Sequence, residues 1–368
     1  MDKASEHLLT ADESGAPPPT VETVKAADLV YVTDEVPGIT RRRAGSGFAY
    51  YDPDGNLITD LEERKRIRSL AIPPAWNDVW ISSDPRGHIQ ATGRDDRGRK
   101  QYRYHPDWQV FREDRKFRLL LPFAQALPRI RSEVDHDLRR HRPGFEKAVA
   151  AVVLLLDRLL IRVGNPEYAE ANDSYGLTTL KSRHLRIEGE HLRFRFRGKS
   201  GKVWNLDHAD RRIARAIRSI QDLPGQQLFQ YVDEDGTAHA VTSSDVNDYI
   251  REAAGADFTS RQFRTWAATT LCAVALAAQE PGGSKRANAR TVNATLDSVA
   301  RRLGNTRAVC RRSYVHPLVF ETFGRGTLAE EITAAPKLAG LDADLLSEDE
   351  RNVLRWLAQA ANADEELG

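Results

Sequence analysis

Sulfur is scarce in this 368-residue chain, which carries two cysteines, Cys272 and Cys310, and one methionine. With no CxxC spacing the cysteines do not form a metal-binding or disulfide framework. The expectation is two reduced, buried thiols in a cytosolic protein. Long apolar runs are missing as well. The longest, Ala148 to Leu156, is closed by Lys147 and Asp157, far short of the roughly 18 residues that a membrane span needs. The first residues are polar and acidic, so no secretory leader is expected. No GxSxG, HExxH or EF-hand pattern occurs, and no repeat at a solenoid period. Net charge is also small, +1 overall, but it is unevenly spread. Residues 1–35 hold eight acids against two bases and residues 328–368 hold ten against three, which leaves +14 on the body between them. A basic body of this size with acidic ends points to a polyanionic partner.

The chain has room for about two or three domains and a sizeable core. Residues 1–24, with GAPPP and few large apolar groups, read as a disordered tail. A β-rich module is expected over 25–105. Asp54-Gly55-Asn56 marks a turn between strand-like runs, and Thr59 with Glu62 forms a capping box for a short helix that closes before Pro73-Pro74. Its last part, GRKQYRYH, interleaves Arg99, Lys100 and Arg103 with Tyr102 and Tyr104. In an extended strand Gln101 and Arg103 face away from the two tyrosines. Long cations for phosphates, beside flat rings and an amide suited to base edges, fit a nucleic-acid groove or a charged hairpin.

From about Pro106 to Thr327 the pattern is mainly helical, and residues 328–368 read as an acidic tail with one short amphipathic helix around Val353 to Leu357. The fold class is therefore α+β: a small antiparallel sheet domain, then a larger helical domain containing a β-meander. Phe145 to Val163 reads as a long helix stopped by Gly164, with Arg162 in its last turn. The meander runs HLRI, HLRFRF, VWNL, and carries Lys199 at the tip of its second turn. That tip spells GKS, but a phosphate loop also needs a glycine five residues before Gly198 and a helix after it. Arg193 and a strand stand there instead. Further helices are expected over Asp207–Ile220, Ser244–Ala254 and Thr259–Ala278, the last with a Thr259/Gln262 capping box that puts Arg264 in the first turn.

The most informative stretch is ARRLGNTRAVCRRSYVH, Ala300 to His316. A helix stops at Gly304, and a second short segment carries Arg307, Arg311 and Arg312 to Tyr314, with Asn305 nine residues upstream. Cations favour phenolate over phenol, so a tyrosine placed here suits nucleophilic attack, although a solvated Arg-rich helix face has the same composition. If Arg162, Lys199, Arg264, Asn305 and Tyr314 converge, they suit attack on a phosphodiester. Two guanidinium forks and an amide hold the non-bridging oxygens, a lysine protonates the leaving 5′ oxygen, and neither ATP nor metal is needed in principle.

IRVGN (161–165), GLTTLKSRH (176–184), FRGKSGK (196–202), FRTW (263–266) and LGNTRAVCRRSY (303–314) resemble, in order and spacing, the poxvirus-like and bacterial type IB DNA topoisomerases. GRKQYRY (98–104) resembles the DNA-contacting part of their N-terminal domain, and the likeness runs through about residues 28–325. It implies a catalytic core shared with tyrosine recombinases and a nucleophile at Tyr314 that becomes joined to a 3′ phosphate. Arg162 and Arg264 would bind the scissile phosphate, and Lys199 would be the general acid. Asn305 stands where the viral enzymes place histidine, which favours a bacterial-type member. By the same matching Arg99, Gln101, Tyr102, Tyr104 and Tyr168 would touch DNA. The implied enzyme is a cytoplasmic, nucleoid-associated monomer that clamps duplex DNA, uses no cofactor or metal, and relaxes supercoils of either sign by nicking, rotation and religation.

Two alternatives stay open. Tyrosine recombinases use a related Arg-Lys-Arg-Tyr set but normally place histidine two residues ahead of the second arginine and end in LGH. Here Gln262 holds that position and the signature is LGN. A non-catalytic duplex-binding protein would explain the basic body, but not a nucleophile, an acid and phosphate clamps together.

Overall fold

The strand and helix signals of the first 116 residues close into one sheet. The computed structural model describes residues 9–10, 19–142, 144–221, 226–233, 235–338 and 343–367, and divides the chain into two compact units, Met1–Lys116 and Phe117–Gly368. The first unit contains β1 (Leu9–Thr10), α1 (Val21–Ala26), β2 (Ile39–Ala44), β3 (Gly47–Tyr51), α2 (Leu61–Ser69), β4 (Asn77–Ile81), β5 (Ile89–Arg94), β6 (Lys100–Tyr104) and the start of α3 (Pro106–Arg118). All strand pairs are antiparallel, in the order β1-β6-β5-β4-β2-β3. Ile39, Val79, Ile81 and Ala91 point to one face and meet Ile67 of α2 and Trp76, which forms the core of the unit.

Three boundaries differ from the sequence reading. Leu9–Thr10 pairs with β6 and Val21–Ala26 is a capped helix, so parts of the expected 1–24 tail are ordered; residues 1–8 and 11–18 lie outside the described residues. The division between units falls at Lys116/Phe117 rather than after 105, because Trp108 of α3 packs with Val24 and Leu29. The cap of α2 is Asp60, whose carboxylate accepts from Glu63 N at 2.8 Å, one residue after the expected Thr59.

The second unit is mainly helical around a large apolar core. It contains α4 (Leu120–Leu138), α5 (Phe145–Leu159), α6 (Pro166–Asn172), the meander β7 (Leu185–Glu188), β8 (His191–Arg197) and β9 (Val203–Ala209), then α7 (Arg211–Gln221), β10 (Gln230–Val232), β11 (Ala238–Ala240), α8 (Ser243–Ala254), α9 (Ser260–Ala277), α10 (Lys285–Leu303), α11 (Arg307–Ser313), α12 (Pro317–Arg325), α13 (Leu328–Ala334) and α14 (Glu348–Leu367). The third strand runs on to Ala209, which delays α7 to Arg211. Strict alternation in β8 buries Leu192, Phe194 and Phe196 and exposes His191, Arg193, Arg195 and Arg197.

The acidic C-terminus is part of this unit rather than a tail. Leu346, Val353, Leu354, Trp356 and Leu357 are buried in the core. Glu350 binds Arg131 at 2.8 Å, and Arg131 also binds Asp157 at 2.9 Å. Both cysteines are free and buried. Among the described residues no helix is long and apolar enough to cross a membrane.

Candidate active site

Each of the five polar residues singled out above is held by a different element. α5 ends four residues earlier than expected. Leu160 adopts the left-handed conformation (φ 56°), so Arg162 lies on extended chain instead of in a last helical turn. The segment is then pinned: Leu177 N donates to Arg162 O at 2.9 Å and Thr178 N to Val163 O at 2.7 Å. Gly164 (φ 112°) lies against Gly176, where a Cβ would come within 2.5 Å of the Gly164 backbone. This close approach is why IRVGN and GLTTL both need glycine.

Arg264 sits in the first turn of α9. The Gln262 side chain reaches back to the Thr259 N–H at 2.9 Å and fixes the start of that helix, as the capping box requires. Arg264 is 3% exposed and donates to two carbonyls, Leu160 O at the end of α5 and Leu303 O, 2.7 Å away, at the end of α10. Helix C-termini carry partial negative charge, so these bonds help hold a buried cation. The guanidinium lies 5.1 Å from the centre of the Tyr314 ring.

α10 stops at Gly304 (φ 66°), and Asn305 follows with its Oδ1 accepting from the Arg162 guanidinium. α11 then carries Cys310 inward and ends at Tyr314. Thr269, one face further along α9 from Arg264, donates from Oγ1 to Tyr314 O at 3.2 Å and accepts from His316 N at 3.1 Å. One helix therefore fixes both a phosphate-binding candidate and the backbone of the nucleophile candidate. Burial alone would push the Tyr314 phenol up; the nearby charges of Arg264 and Arg162, with Asn305 beside them, more than reverse this and bring it down to about 8.

Lys199 stands on the turn between β8 and β9, which Gly198 N closes onto Lys202 O at 2.7 Å. Loss of hydration lowers its ammonium below the ordinary lysine value, with Tyr314 opposing as the phenolate forms. The structure thus brings Arg162, Lys199, Arg264, Asn305 and Tyr314 together. Two buried donors of the group, Arg264 Nε and Asn305 Nδ2, have no hydrogen-bond partner among the described residues.

One organising residue was not legible in the sequence. Trp204 is 6% exposed, stacks on Phe196 with ring centroids 6.0 Å apart, and lies between two glycines. A Cβ on Gly198 would meet its Nε1 at 2.5 Å, and a Cβ on Gly304 would meet its Cζ2 at 2.4 Å. The indole therefore locks the Lys199 turn against the helix end that presents Asn305. The only sequence signal was the pairing of GK with LGN.

In the first unit, Tyr102 and Tyr104 share one face of β6 and lie parallel, 5.8 Å apart. Arg99 pairs with Asp95 at 2.7 Å. Gln101 alternates to the other face as expected, but it is 2% exposed and donates to Asp95 at 3.0 Å. Tyr168 lies in α6, and its side chain is outside the described residues.

Residues 105–329 match the family described as eukaryotic DNA topoisomerase I, catalytic core, and residues 47–95 match the bacterial DNA topoisomerase IB N-terminal domain. The chain is 34% identical over 294 residues to a DNA topoisomerase 1B of Acanthamoeba polyphaga mimivirus, covering 78% of this chain and 87% of that one. A DNA topoisomerase 1B of Vaccinia virus is 23% identical over 204 residues, covering 50% of this chain and 65% of the viral one. With the catalytic-core match spanning more than half its length, the chain belongs to the type IB DNA topoisomerases.

Proposed function

We propose that Tyr314 attacks a phosphodiester of duplex DNA and holds the strand as a 3′-phosphotyrosyl ester while the other end rotates. With the phenol proton released to water, the phenolate oxygen forms the new P–O bond, the bond to the 5′ oxygen breaks, and Lys199 gives that oxygen its proton. Religation runs the same steps backwards, with the 5′ hydroxyl as nucleophile and Lys199 taking the proton. Arg162 and Arg264 bind the non-bridging oxygens and offset the charge that builds on them, and the Asn305 amide adds one further donor. The observation that carries this reading is the Tyr314 phenol set against two guanidiniums, within electrostatic reach of Lys199. The two buried donors left unpartnered, Arg264 Nε and Asn305 Nδ2, support it, because buried donors are rarely left unmatched without a functional reason.

A single copy of the chain acts on the duplex in the cytoplasm, at the nucleoid. The Tyr102/Tyr104 pair and Arg99 supply DNA contacts outside the reacting centre. Tyr168 belongs to the same set, while Gln101 must first release Asp95 to reach a base. The cysteines and carboxylates take no part in the steps above. The test is relaxation of supercoiled plasmid in EDTA without ATP. The intact chain relaxes both signs of supercoil, and Tyr314→Phe binds DNA but relaxes none. Equal relaxation by that variant discards the mechanism.

A further inference from the structure

The outward face of the meander changes character along its length. At the end far from Lys199, charges are matched: Arg193 binds Glu188 at 2.9 Å and Asp207 at 3.3 Å, and His191 lies 3.1 Å from Asp207. At the end near Lys199 the acids stop. Arg195 stands opposite Asn205 and Arg197 opposite Val203, which is 63% exposed. Both arginines are exposed, and among the described residues neither side chain makes a hydrogen bond or an ion pair. Arg197 ends the strand two residues before Lys199, and Arg195 stands about 7 Å further back along the strand on the same face as Arg197. The buried face of the same strand, with Phe196 stacked on Trp204, fixes this row rigidly to the active site.

We propose that Arg195 and Arg197 form a phosphate track for the duplex on the 5′-hydroxyl side of the break, the part that must turn during relaxation. The inference rests on the role of Lys199 given above: the group that protonates the leaving 5′ oxygen marks the side on which that duplex departs, and the unmatched arginines continue outward from it. Exposed guanidiniums exchange phosphates freely, so the track grips the moving duplex without anchoring it and acts as a brake on rotation. The acid-paired half of the strand adds little, because Arg193 must first give up Glu188 and Asp207 to meet a phosphate.

The test uses the full-length chain on single supercoiled DNA molecules held under tension, where each cleavage event appears as a burst of released turns. The double variant Arg195→Gln/Arg197→Gln is expected to release at least about twofold more turns per burst, while the frequency of bursts stays within about twofold. On linear duplexes, in the Tyr314→Phe background, the slope of log affinity against log salt is expected to become shallower by about 1.8, the value for two lost phosphate contacts. That change appears only when the duplex extends on the 5′-hydroxyl side of the mapped cleavage site. Arg193→Gln, on the same face but acid-paired, is expected to change neither quantity. Unchanged burst size and salt slope in the double variant overturn the track. So does a lower burst frequency with unchanged burst size, which would assign the arginines to cleavage. A parent chain that produces no bursts overturns the transesterification reading itself.

Discussion

Cations are handled in opposite ways at the two regions of this molecule proposed to meet DNA. On the sheet of the first unit, the two cations that precede the tyrosine pair each have a carboxylate: Arg99 has Asp95 at 2.7 Å, and Lys100 has Asp34 at 2.7 Å. Around Tyr314, by contrast, Arg162 and Arg264 meet an amide and backbone carbonyls, and no carboxylate is among the groups that set the phenol. The difference follows from the two tasks. A surface that only grips DNA can keep its cations paired and exchange partners on binding. A centre that must stabilise charge appearing during reaction loses its advantage if an acid already occupies the cations.

The largest test of this contrast is Arg264→Ala. It removes a buried fork that holds Leu160, Leu303 and Tyr314 at once, and is expected to slow single-turnover cleavage by about 10³-fold or more. Binding of nicked duplex should change far less. If cleavage falls no more than affinity does, Arg264 acts as a grip and the contrast fails.

Next in size is the Trp204 lock. Trp204→Ala is expected to destabilise the chain by about 3–5 kcal/mol by emptying a buried aromatic site, measured by denaturant unfolding. Gly304→Ala makes a sharper probe, because it combines a φ of 66° with a Cβ 2.4 Å from the indole. It is expected to slow cleavage beyond its effect on stability; a variant with normal cleavage at full occupancy would separate the lock from catalysis.

A third test is pH. The phenol of Tyr314, brought down to about 8, must be ionised to attack, so kcat/KM for cleavage should rise with pH and level off above about 8. At higher pH the rate should fall as Lys199 loses its proton, and earlier than an ordinary lysine near 10.4 would give, because partial loss of hydration lowers its ammonium although the side chain is exposed. In Arg162→Gln the rising limb should move up toward 10. A limb that stays in place would show that Arg162 does not set the phenol.

The smallest effects belong to the sheet. Tyr102→Ala should weaken duplex binding about tenfold and leave cleavage at saturation within twofold. Asp95→Asn, which frees Arg99 and loosens Gln101, should tighten binding slightly and steepen its salt dependence. Loss of cleavage at saturation in either variant would erase the distinction between gripping and reacting surfaces.

What could be read from the sequence was local. The capping box at Thr259, the glycine stop at Gly304 and the turn carrying Lys199 each depend on neighbours a few residues apart, and each formed as expected. Readings that failed were decided by distant partners. Phe145–Leu159 ends early where the Leu160 carbonyl is taken by Arg264, 104 residues away. The C-terminal acids read as a tail because Glu350 finds Arg131 and the Trp266 indole only in three dimensions. Gln101 was placed on the correct side of its strand, but alternation does not tell which side is covered. The five residues proposed to react were singled out because their types match one chemistry and their motifs resemble one family, not because spacing showed that they meet.

The most direct measurement is to trap the covalent complex on a duplex, digest it, and identify both the attached residue and the DNA end. The account requires the Tyr314 oxygen joined to a 3′ phosphate, with a free 5′ hydroxyl on the other end. An adduct on a different side chain, or through a 5′ phosphate, would contradict it.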